Sequence, residues 1–137
     1  MLAPLFYFAY GSNMDPDRVR RRGIVFDQIL GGTLRGYGLR FQKKSTVQTG
    51  AGHANIVVSN DEFVEGLLFK LSGEDQIEKM DPFERVPTNY SRDTIHVDSK
   101  AGRVAAWTYF ANPDVMDLNL KPPRWYLDHL LEGRPYL

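Results

Sequence analysis

The sequence predicts a single α+β domain, residues 1–137, with a mixed, curled β-sheet or barrel of five to seven strands and about three short helices. Two observations carry this prediction. First, β-rich segments follow one another along the chain without the strand–helix alternation that is typical of parallel α/β folds. Second, the chain has 137 residues, 42% hydrophobic and 25% charged, which is ordinary for one globular domain.

The first strand and the first helix are predicted near the start of the chain. Residues 5–10 (LFYFAY) are apolar and aromatic, as in a buried strand, and residues 11–13 (GSN) end them. Asp15 is a good helix N-cap and Pro16 suits the first turn, so a short helix follows and ends at Gly23. We interpret the arginines near its end as a solvated helix end, with a phosphate- or nucleic-acid-binding patch as the alternative. These arginines are Arg18, Arg20, Arg21 and Arg22.

Six further strands are predicted from β-rich runs separated by turn residues. Glycine pairs and an Asn-Asp turn separate the first four, and residues 99–102 join the last two as a hairpin. The six runs are residues 24–30, 34–42, 54–59, 63–71, 90–98 and 103–110.

Two more helices are predicted. Residues 72–75 resemble a capping box and start a short helix that runs to Met80, because Pro82 cannot continue it. A last helix covers residues 124–132, after a Pro-Pro pair and before Gly133. Helical spacing places three leucines of this helix on one face: Leu127, Leu130 and Leu131.

The composition excludes several classes of function. The 17 basic residues equal the 17 acidic ones, so the net charge of zero argues against nucleic acid or a membrane surface as a partner. The absence of cysteine removes disulfides, thiolate metal sites and a cysteine nucleophile, and the three histidines have no metal-ligand spacing. No apolar run approaches the roughly 18 residues of a membrane span, and the apolar N-terminal segment lacks a basic region and a cleavage site. We therefore expect a cytoplasmic protein.

The loop at residues 11–13 is the first candidate site. It joins the end of a strand to the start of a helix, and Gly11 permits backbone geometry that other residues resist. Backbone N–H groups at such a place bind carboxylates or oxyanions, although many strand–turn–helix loops bind nothing. Ser12 is a poor candidate for a nucleophile, since the G-x-S-x-G motif is absent.

Glu84 is the second candidate. It lies between Phe83 and Val86 in a turn bracketed by two prolines. A carboxylate in apolar surroundings has a raised proton affinity and is a better base near neutral pH. The alternative is an exposed glutamate paired with Arg85 or Arg92.

Six segments, in order along most of the chain, resemble the γ-glutamylcyclotransferase family. Residues 7–14 (YFAYGSNM) resemble the family's substrate loop almost letter for letter, and residues 80–86 (MDPFERV) resemble the segment that holds its catalytic glutamate. Residues 122–126, with Tyr126, resemble the C-terminal helix that supplies a substrate-contacting tyrosine. The other three, in or next to family strands, are residues 34–41, 51–56 and 64–71. The glutathione-directed branch usually has leucine at the position of Asn13, so the resemblance favours the branch acting on γ-glutamyl amino acids.

The resemblance implies an enzyme that cyclises a small-molecule γ-glutamyl amide to 5-oxoproline by intramolecular aminolysis and releases the free amine. It implies Glu84 as the catalytic base, no cofactor and no metal, and it is compatible with a homodimer. The substrate-binding residues that it implies are Tyr7, Phe8, Ala9, Tyr10, Gly11, Ser12, Asn13 and Tyr126.

The chain departs from the family pattern at Arg85, where the family often has glycine. A cation beside the base could pair with Glu84 and lower its pKa, or could bind a substrate carboxylate. An alternative function is a non-catalytic module that binds a carboxylate or γ-glutamyl ligand on the same scaffold.

Overall fold

A computed structural model describes residues 4–45, 48–117 and 119–137. Within these ranges the chain forms five strands, three α-helices and three single turns of 3₁₀ helix. The strands are β1 (Phe6–Ala9), β2 (Phe26–Lys44), β3 (Gly52–Leu71), β4 (Tyr90–Ser99) and β5 (Gly102–Ala111). The α-helices are α1 (Pro16–Arg21), α2 (Gln76–Met80) and α3 (Arg124–Glu132), and the 3₁₀ turns span Ser12–Met14, Pro113–Val115 and Arg134–Tyr136.

The five strands close into a barrel in the order β1-β3-β2-β4-β5. All neighbouring strands are antiparallel except β1 and β5, which run parallel through the pairs Phe6 with Ala106 and Tyr7 with Trp107. Strand β1 is therefore hydrogen-bonded on both edges, and its C-terminal end leads directly into the loop at residues 11–13. The predicted α+β class and mixed, curled sheet are confirmed.

Two pairs of predicted strands are each one long strand, so the prediction of separate strands at these places is wrong. The glycines between residues 30 and 34 continue the β2–β3 ladder, with Gly32 paired to Gly66. In β3, the register changes between the pairs Arg35–Phe63 and Tyr37–Val58. The Asn-Asp turn signal at residues 60–61 lies in this bulge, which interrupts the pairing without ending the strand.

Helices α1 and α3 lie where the sequence predicts them, whereas α2 begins later. The Asp15 side chain caps α1 by accepting a hydrogen bond from the Asp17 N–H at 3.1 Å. The capping box predicted at residues 72–75 is not formed, since no side chain caps α2. In α3 the buried residue is Tyr126 rather than a member of the predicted leucine face. None of the helices in the described ranges is long and apolar enough to cross a lipid bilayer.

The core lies on both sides of β1, because successive side chains of a strand point to opposite faces. Tyr7 and Ala9 belong to one buried cluster, which also packs against the helices α1 and α2. Phe8 and Tyr10 belong to the other, together with residues of β2, β3 and β5. This two-sided burial fixes the position of β1 and of the loop that follows it.

Candidate active site

A cavity of about 210 Å³ opens where β1 ends. The loop after β1, the turn after α2, the strands β2 to β5 and helix α3 all contribute residues to its wall. Seven of the nine site residues predicted from the sequence line this cavity: Tyr7, Tyr10, Gly11, Ser12, Asn13, Glu84 and Tyr126. The fold therefore brings together segments from the beginning, the middle and the end of the chain.

Phe8 and Ala9 do not line the cavity, so the prediction that they contact substrate has no support in the geometry. Both side chains are fully buried, Phe8 in one hydrophobic cluster and Ala9 in the other. Their positions in the motif reflect the packing of β1. The flanking residues Tyr7 and Tyr10 do line the cavity.

Glu84 is held at the cavity by the turn that follows α2. The backbone N–H groups of Phe83 and Glu84 both donate to the Met80 carbonyl, at 3.0 and 3.2 Å, so the chain reverses immediately after the helix. The Glu84 side chain is 17% exposed, and its Oε1 atom accepts a hydrogen bond from Asn13 Nδ2 at 2.9 Å. The Arg22 guanidinium lies 3.9 Å from the same oxygen.

Burial raises the pKa of the Glu84 carboxyl above its ordinary value of 4.5. The positive charges of Arg22, Lys43 and Arg18 act in the opposite direction, as does the hydrogen bond from Asn13. Burial prevails over these effects. The carboxylate is therefore a stronger base than free glutamate, which suits proton abstraction near neutral pH.

The Asn13 side chain is the hub of the polar contacts at Glu84. Its Nδ2 atom donates to the carboxylate and to the Tyr7 hydroxyl, both at 2.9 Å. Its Oδ1 atom accepts from Arg22 at 3.0 Å. Donors and acceptors on both ends of the amide fix its orientation, so Asn13 positions the carboxylate. This role differs from the direct substrate contact that the resemblance implies.

Gly11 is required at this site by the close approach of Tyr126. A Cβ atom on Gly11 would overlap the Tyr126 hydroxyl oxygen and would lie 3.3 Å from the Ala54 side chain. Gly11 has φ of −119°, so space rather than an unusual φ angle explains the glycine. The Tyr126 hydroxyl accepts a hydrogen bond from the backbone N–H group of Ala54 at 2.9 Å.

Two of the α1 arginines face the cavity, and for these the prediction of a solvated helix end is wrong. Arg18 and Arg22 line the cavity, while Arg20 and Arg21 are exposed. The Arg22 side chain is 16% exposed and its guanidinium lies 4.8 Å from the centre of the Phe83 ring. The i, i+4 spacing of Arg18 and Arg22 is compatible with one shared face, but Arg21, at i+3 from Arg18, has similar spacing, so the sequence alone could not separate the two pairs.

Arg85 is exposed at the rim of the cavity and is not the ion-pair partner of Glu84. It forms no ion pair with Glu84 in the described part of the chain, and Arg92 instead pairs with Asp81 at 2.9 Å. Both pairings weighed from the sequence as the alternative for Glu84 are therefore wrong.

Lys43 and His53 also line the cavity, and sequence reasoning gave neither a role there. His53 stacks on the Tyr126 ring, with ring centres 4.6 Å apart and an interplanar angle of 14°. Burial, with the nearby charges of Lys43 and Arg18, lowers the pKa of His53 to about 4, so the imidazole is neutral near pH 7. Among the described residues, no group of three or more His, Cys, Asp and Glu side chains is placed to hold a metal ion.

A family model described as gamma-glutamyl cyclotransferase, AIG2-like, matches residues 7–128. The fold is similar to a solved structure named gamma-glutamyl cyclotransferase, with a TM-score of 0.78 and 19% identity over 97% of this chain and 79% of that one. It is similar to an uncharacterized protein from Homo sapiens, with a TM-score of 0.80 and 24% identity over 96% of this chain and 78% of that one. A yeast gamma-glutamyl cyclotransferase specific to glutathione has a TM-score of 0.71 and 12% identity over 99% of this chain and 89% of that one. A search among proteins of curated function found no match.

The chain belongs to the gamma-glutamyl cyclotransferase, AIG2-like family. The matched range includes both the YFAYGSNM segment and Glu84, so the resemblance stated from those motifs is confirmed. The low identities to the solved structures show a shared fold.

Proposed function

We propose that the protein cyclises a γ-glutamyl amide to 5-oxoproline and releases the free amine, with Glu84 as the catalytic base. The observation that carries the proposal is the Glu84 carboxylate itself. It is largely buried in the cavity, is hydrogen-bonded by an uncharged amide, and has a raised pKa. Among the described residues, the only cation within ion-pair distance of it is Arg22, at 3.9 Å. Membership of the family supports the same reaction.

The reaction needs a base because the substrate's α-amino group is an ammonium near neutral pH and cannot attack. Glu84 takes a proton from it, and the neutral amine attacks the γ-carbonyl carbon of the same glutamyl group. The new C–N bond closes a five-membered ring, and the bond to the leaving nitrogen breaks. Two of the three ammonium protons end on the leaving nitrogen through Glu84, so the carboxylate is regenerated. General acid–base catalysis of this kind contributes about 10² to 10⁴ in rate.

The negative charge that develops on the γ-carbonyl oxygen needs a donor, and the Tyr126 hydroxyl is suited to this role. It accepts a hydrogen bond from the backbone N–H group of Ala54 but donates to no residue in the described part of the chain. Burial raises its pKa, so the hydroxyl keeps its proton. That proton is therefore left for an acceptor in the cavity, such as the oxyanion or a substrate carboxylate.

A panel of γ-glutamyl amides with different leaving amines, with 5-oxoproline release as the readout, tests the proposal. We expect release from at least one amide by the wild type. Glu84→Gln keeps the size of the side chain but removes the proton acceptor, so its turnover should fall by about 10² or more. Glu132→Gln is the matched control, because Glu132 is exposed at the end of α3 and outside the cavity.

Two outcomes would contradict the proposal. If Glu84→Gln turned over the substrate as fast as the wild type, the catalytic base would have to be another group. Saturable binding of a γ-glutamyl amide by the wild type, without any release of 5-oxoproline, would favour the non-catalytic binding module instead.

A further inference from the structure

Helix α3 carries a histidine whose two ring nitrogens each contact a side chain at the start of α1. The Nδ1 atom of His129 lies 2.9 Å from Asp15 Oδ2, and its Nε2 atom lies 3.4 Å from Arg18 Nη1. The side chains of His129 and Asp15 are 21% and 12% exposed. Arg18 lines the cavity, so this row of three polar side chains ends at the candidate active site. The proposed reaction gives Asp15 and His129 no role.

The contacts of His129 assign its tautomer. A carboxylate oxygen only accepts hydrogen bonds, so the nitrogen that faces Asp15, Nδ1, carries a proton. A guanidinium only donates, so the nitrogen that faces Arg18, Nε2, must be free to accept. Only the neutral ring with its proton on Nδ1 meets both conditions. A protonated ring would direct a second N–H at the guanidinium, and repulsion would replace the hydrogen bond.

Both oxygen atoms of the Asp15 carboxylate are engaged, so its direction is fixed. Oδ1 caps α1 by accepting from the Asp17 N–H at 3.1 Å, while Oδ2 faces His129. The Trp125 ring, from α3 itself, also packs against the imidazole, at an interplanar angle of 81° and with ring centres 6.1 Å apart. The imidazole is therefore held from both helices.

Arg18 has a donor that nothing satisfies. Its Nε atom is buried and has no hydrogen-bond partner in the described part of the chain. Within the same ranges, His129 Nε2 is the one group that accepts from this guanidinium. An unsatisfied donor on a charged group is unfavourable, and an acceptor on a bound ligand would remove that cost. The direction of the guanidinium therefore bears on ligand binding.

We propose that Asp15 and His129 are positioning residues for Arg18. Asp15 holds His129 in the tautomer with its proton on Nδ1, and Nε2 then orients the Arg18 guanidinium toward an acceptor on the bound γ-glutamyl ligand. The inference rests on the proposed function, because it places a γ-glutamyl amide in the cavity. An aspartate fixes the histidine tautomer in the same way in the serine-protease triad, although there the imidazole transfers a proton.

Asp15→Asn tests the tautomer without removing the helix cap. Asparagine is as good an N-cap as aspartate, so its amide oxygen should still accept from the Asp17 N–H. Its amide nitrogen should then donate to His129 Nδ1, which moves the ring proton to Nε2. In that tautomer Nε2 cannot accept from Arg18.

Nitrogen-15 NMR of the histidine rings measures this change directly. The spectra are recorded at about pH 8, at the upper end of the range in which histidine usually changes charge. We expect the Nδ1–H tautomer for His129 in the wild type and the Nε2–H tautomer in Asp15→Asn. His129→Gln identifies the signal by its loss, and His96, exposed on β4, should not change. An Nε2–H tautomer in the wild type would overturn the inference whether or not any variant folds.

Kinetics with γ-glutamyl-alanine measures the effect on binding. KM should rise about tenfold in Asp15→Asn and in His129→Asn, whose shorter amide reaches Asp15 but not Arg18, while kcat stays within about twofold. His129→Gln places its amide oxygen near the position of Nε2, so KM should stay within about threefold. Asp128→Asn, at an exposed position on α3 outside the cavity, is the matched control and should leave KM unchanged. An unchanged KM in Asp15→Asn, or equal losses in His129→Gln and His129→Asn, would contradict the inference.

Failure of the proposed function has a different signature. If the wild type releases no 5-oxoproline from any γ-glutamyl amide, the cyclisation is wrong, and the Kd of γ-glutamyl-alanine, measured by calorimetry, takes the place of KM. The same pattern across the variants is then expected in Kd. No measurable binding to the wild type would refute the inference too, because Arg18 would have no such ligand to contact.

Discussion

The side-chain nitrogen of Asn13 lies 2.9 Å from a carboxylate oxygen of Glu84, although the two residues are 71 positions apart in the chain. The same nitrogen contacts the Tyr7 hydroxyl, and the amide oxygen of Asn13 accepts from Arg22. The loop after β1 and the turn after α2 are therefore joined by a single amide. This contact lets the loop after β1 influence the pKa of the proposed base, Glu84.

Asn13→Leu should move the acidic limb of the kcat/KM profile to higher pH. The hydrogen bond from Asn13 lowers the pKa of Glu84, so its loss raises that pKa and reduces the fraction of carboxylate near neutral pH. We expect a loss of about tenfold in kcat/KM near neutral pH, which is typical for a hydrogen bond to a charged group. A profile unchanged from the wild type would show that Asn13 does not act through Glu84. Asn60→Leu, at an exposed position in β3, is the control.

Substitutions of Arg22 and Arg85 should differ in their effect on the acidic limb of the kcat/KM profile. The charge of Arg22 is the largest influence that lowers the pKa of Glu84, so Arg22→Gln should shift the limb to higher pH. Arg85 is exposed at the rim and is not among the main influences on that pKa, so Arg85→Gly should shift the limb less than Arg22→Gln does. Kinetics of the two variants over a common pH series checks this contrast. A shift in Arg85→Gly, with none in Arg22→Gln, would reverse the assignment.

Glu84→Gln, although slower in turnover, should be more stable than the wild type near neutral pH. The pKa of Glu84 is raised in the folded protein, so ionisation of this carboxyl disfavours folding, and wild-type stability falls as the pH rises through the folded-state pKa. The variant has no such loss. Its melting temperature should exceed that of the wild type above this pKa, and the difference should disappear as the pH falls below the ordinary value of 4.5. Thermal unfolding at several pH values measures it, and a variant that melts earlier than the wild type at neutral pH would count against the argument.

Gly11→Ala should lower both stability and activity, because its new methyl group overlaps the Tyr126 hydroxyl. Such overpacking costs about 1–3 kcal/mol of unfolding free energy. In a Tyr126→Phe background the hydroxyl is absent, so the same substitution should cost less. Chemical denaturation of the four proteins in this double-mutant cycle gives the coupling between the two sites. If the effects of the two substitutions on unfolding free energy were strictly additive, the overlap between the new methyl group and the Tyr126 hydroxyl would not be the cause of the lost stability.

The sequence predicted the helices α1 and α3 well because their boundaries depend on local features. The Asp-Pro start of α1 and the Pro-Pro start of α3 act within one turn of the backbone. Strand boundaries depend on partners that are distant in sequence, so glycines that favour a turn locally are instead paired within the β2–β3 ladder. The number of strands was therefore predicted less well than the class of fold.

Most of the candidate site was predicted from the YFAYGSNM motif. That motif contains residues that pack the core as well as residues that line the cavity, and its pattern does not distinguish them. Phe8 and Ala9 lie in the motif because β1 is buried on both faces, whereas Asn13 and Glu84 line the cavity. The sequence did not predict that Arg18, Arg22 and Lys43 line the cavity, because charged residues on a helix or strand are usually solvated. Lys43 reaches the cavity because β2 is part of the closed barrel, and no local pattern records that closure.

The parallel pairing of β1 with β5 joins the earliest strand to the latest one. The Thr108 hydroxyl donates to the Phe8 carbonyl, 100 positions earlier in the chain. Contacts of such long sequence separation form late and slow the folding of a domain. A nascent chain that has emerged only as far as Glu84 contains Asn13, Glu84 and the β3 partner of β1, but it lacks β5, which pairs with the other edge of β1. Competence for catalysis should therefore arrive in one step with the closing of the barrel, after most of the chain has been synthesised.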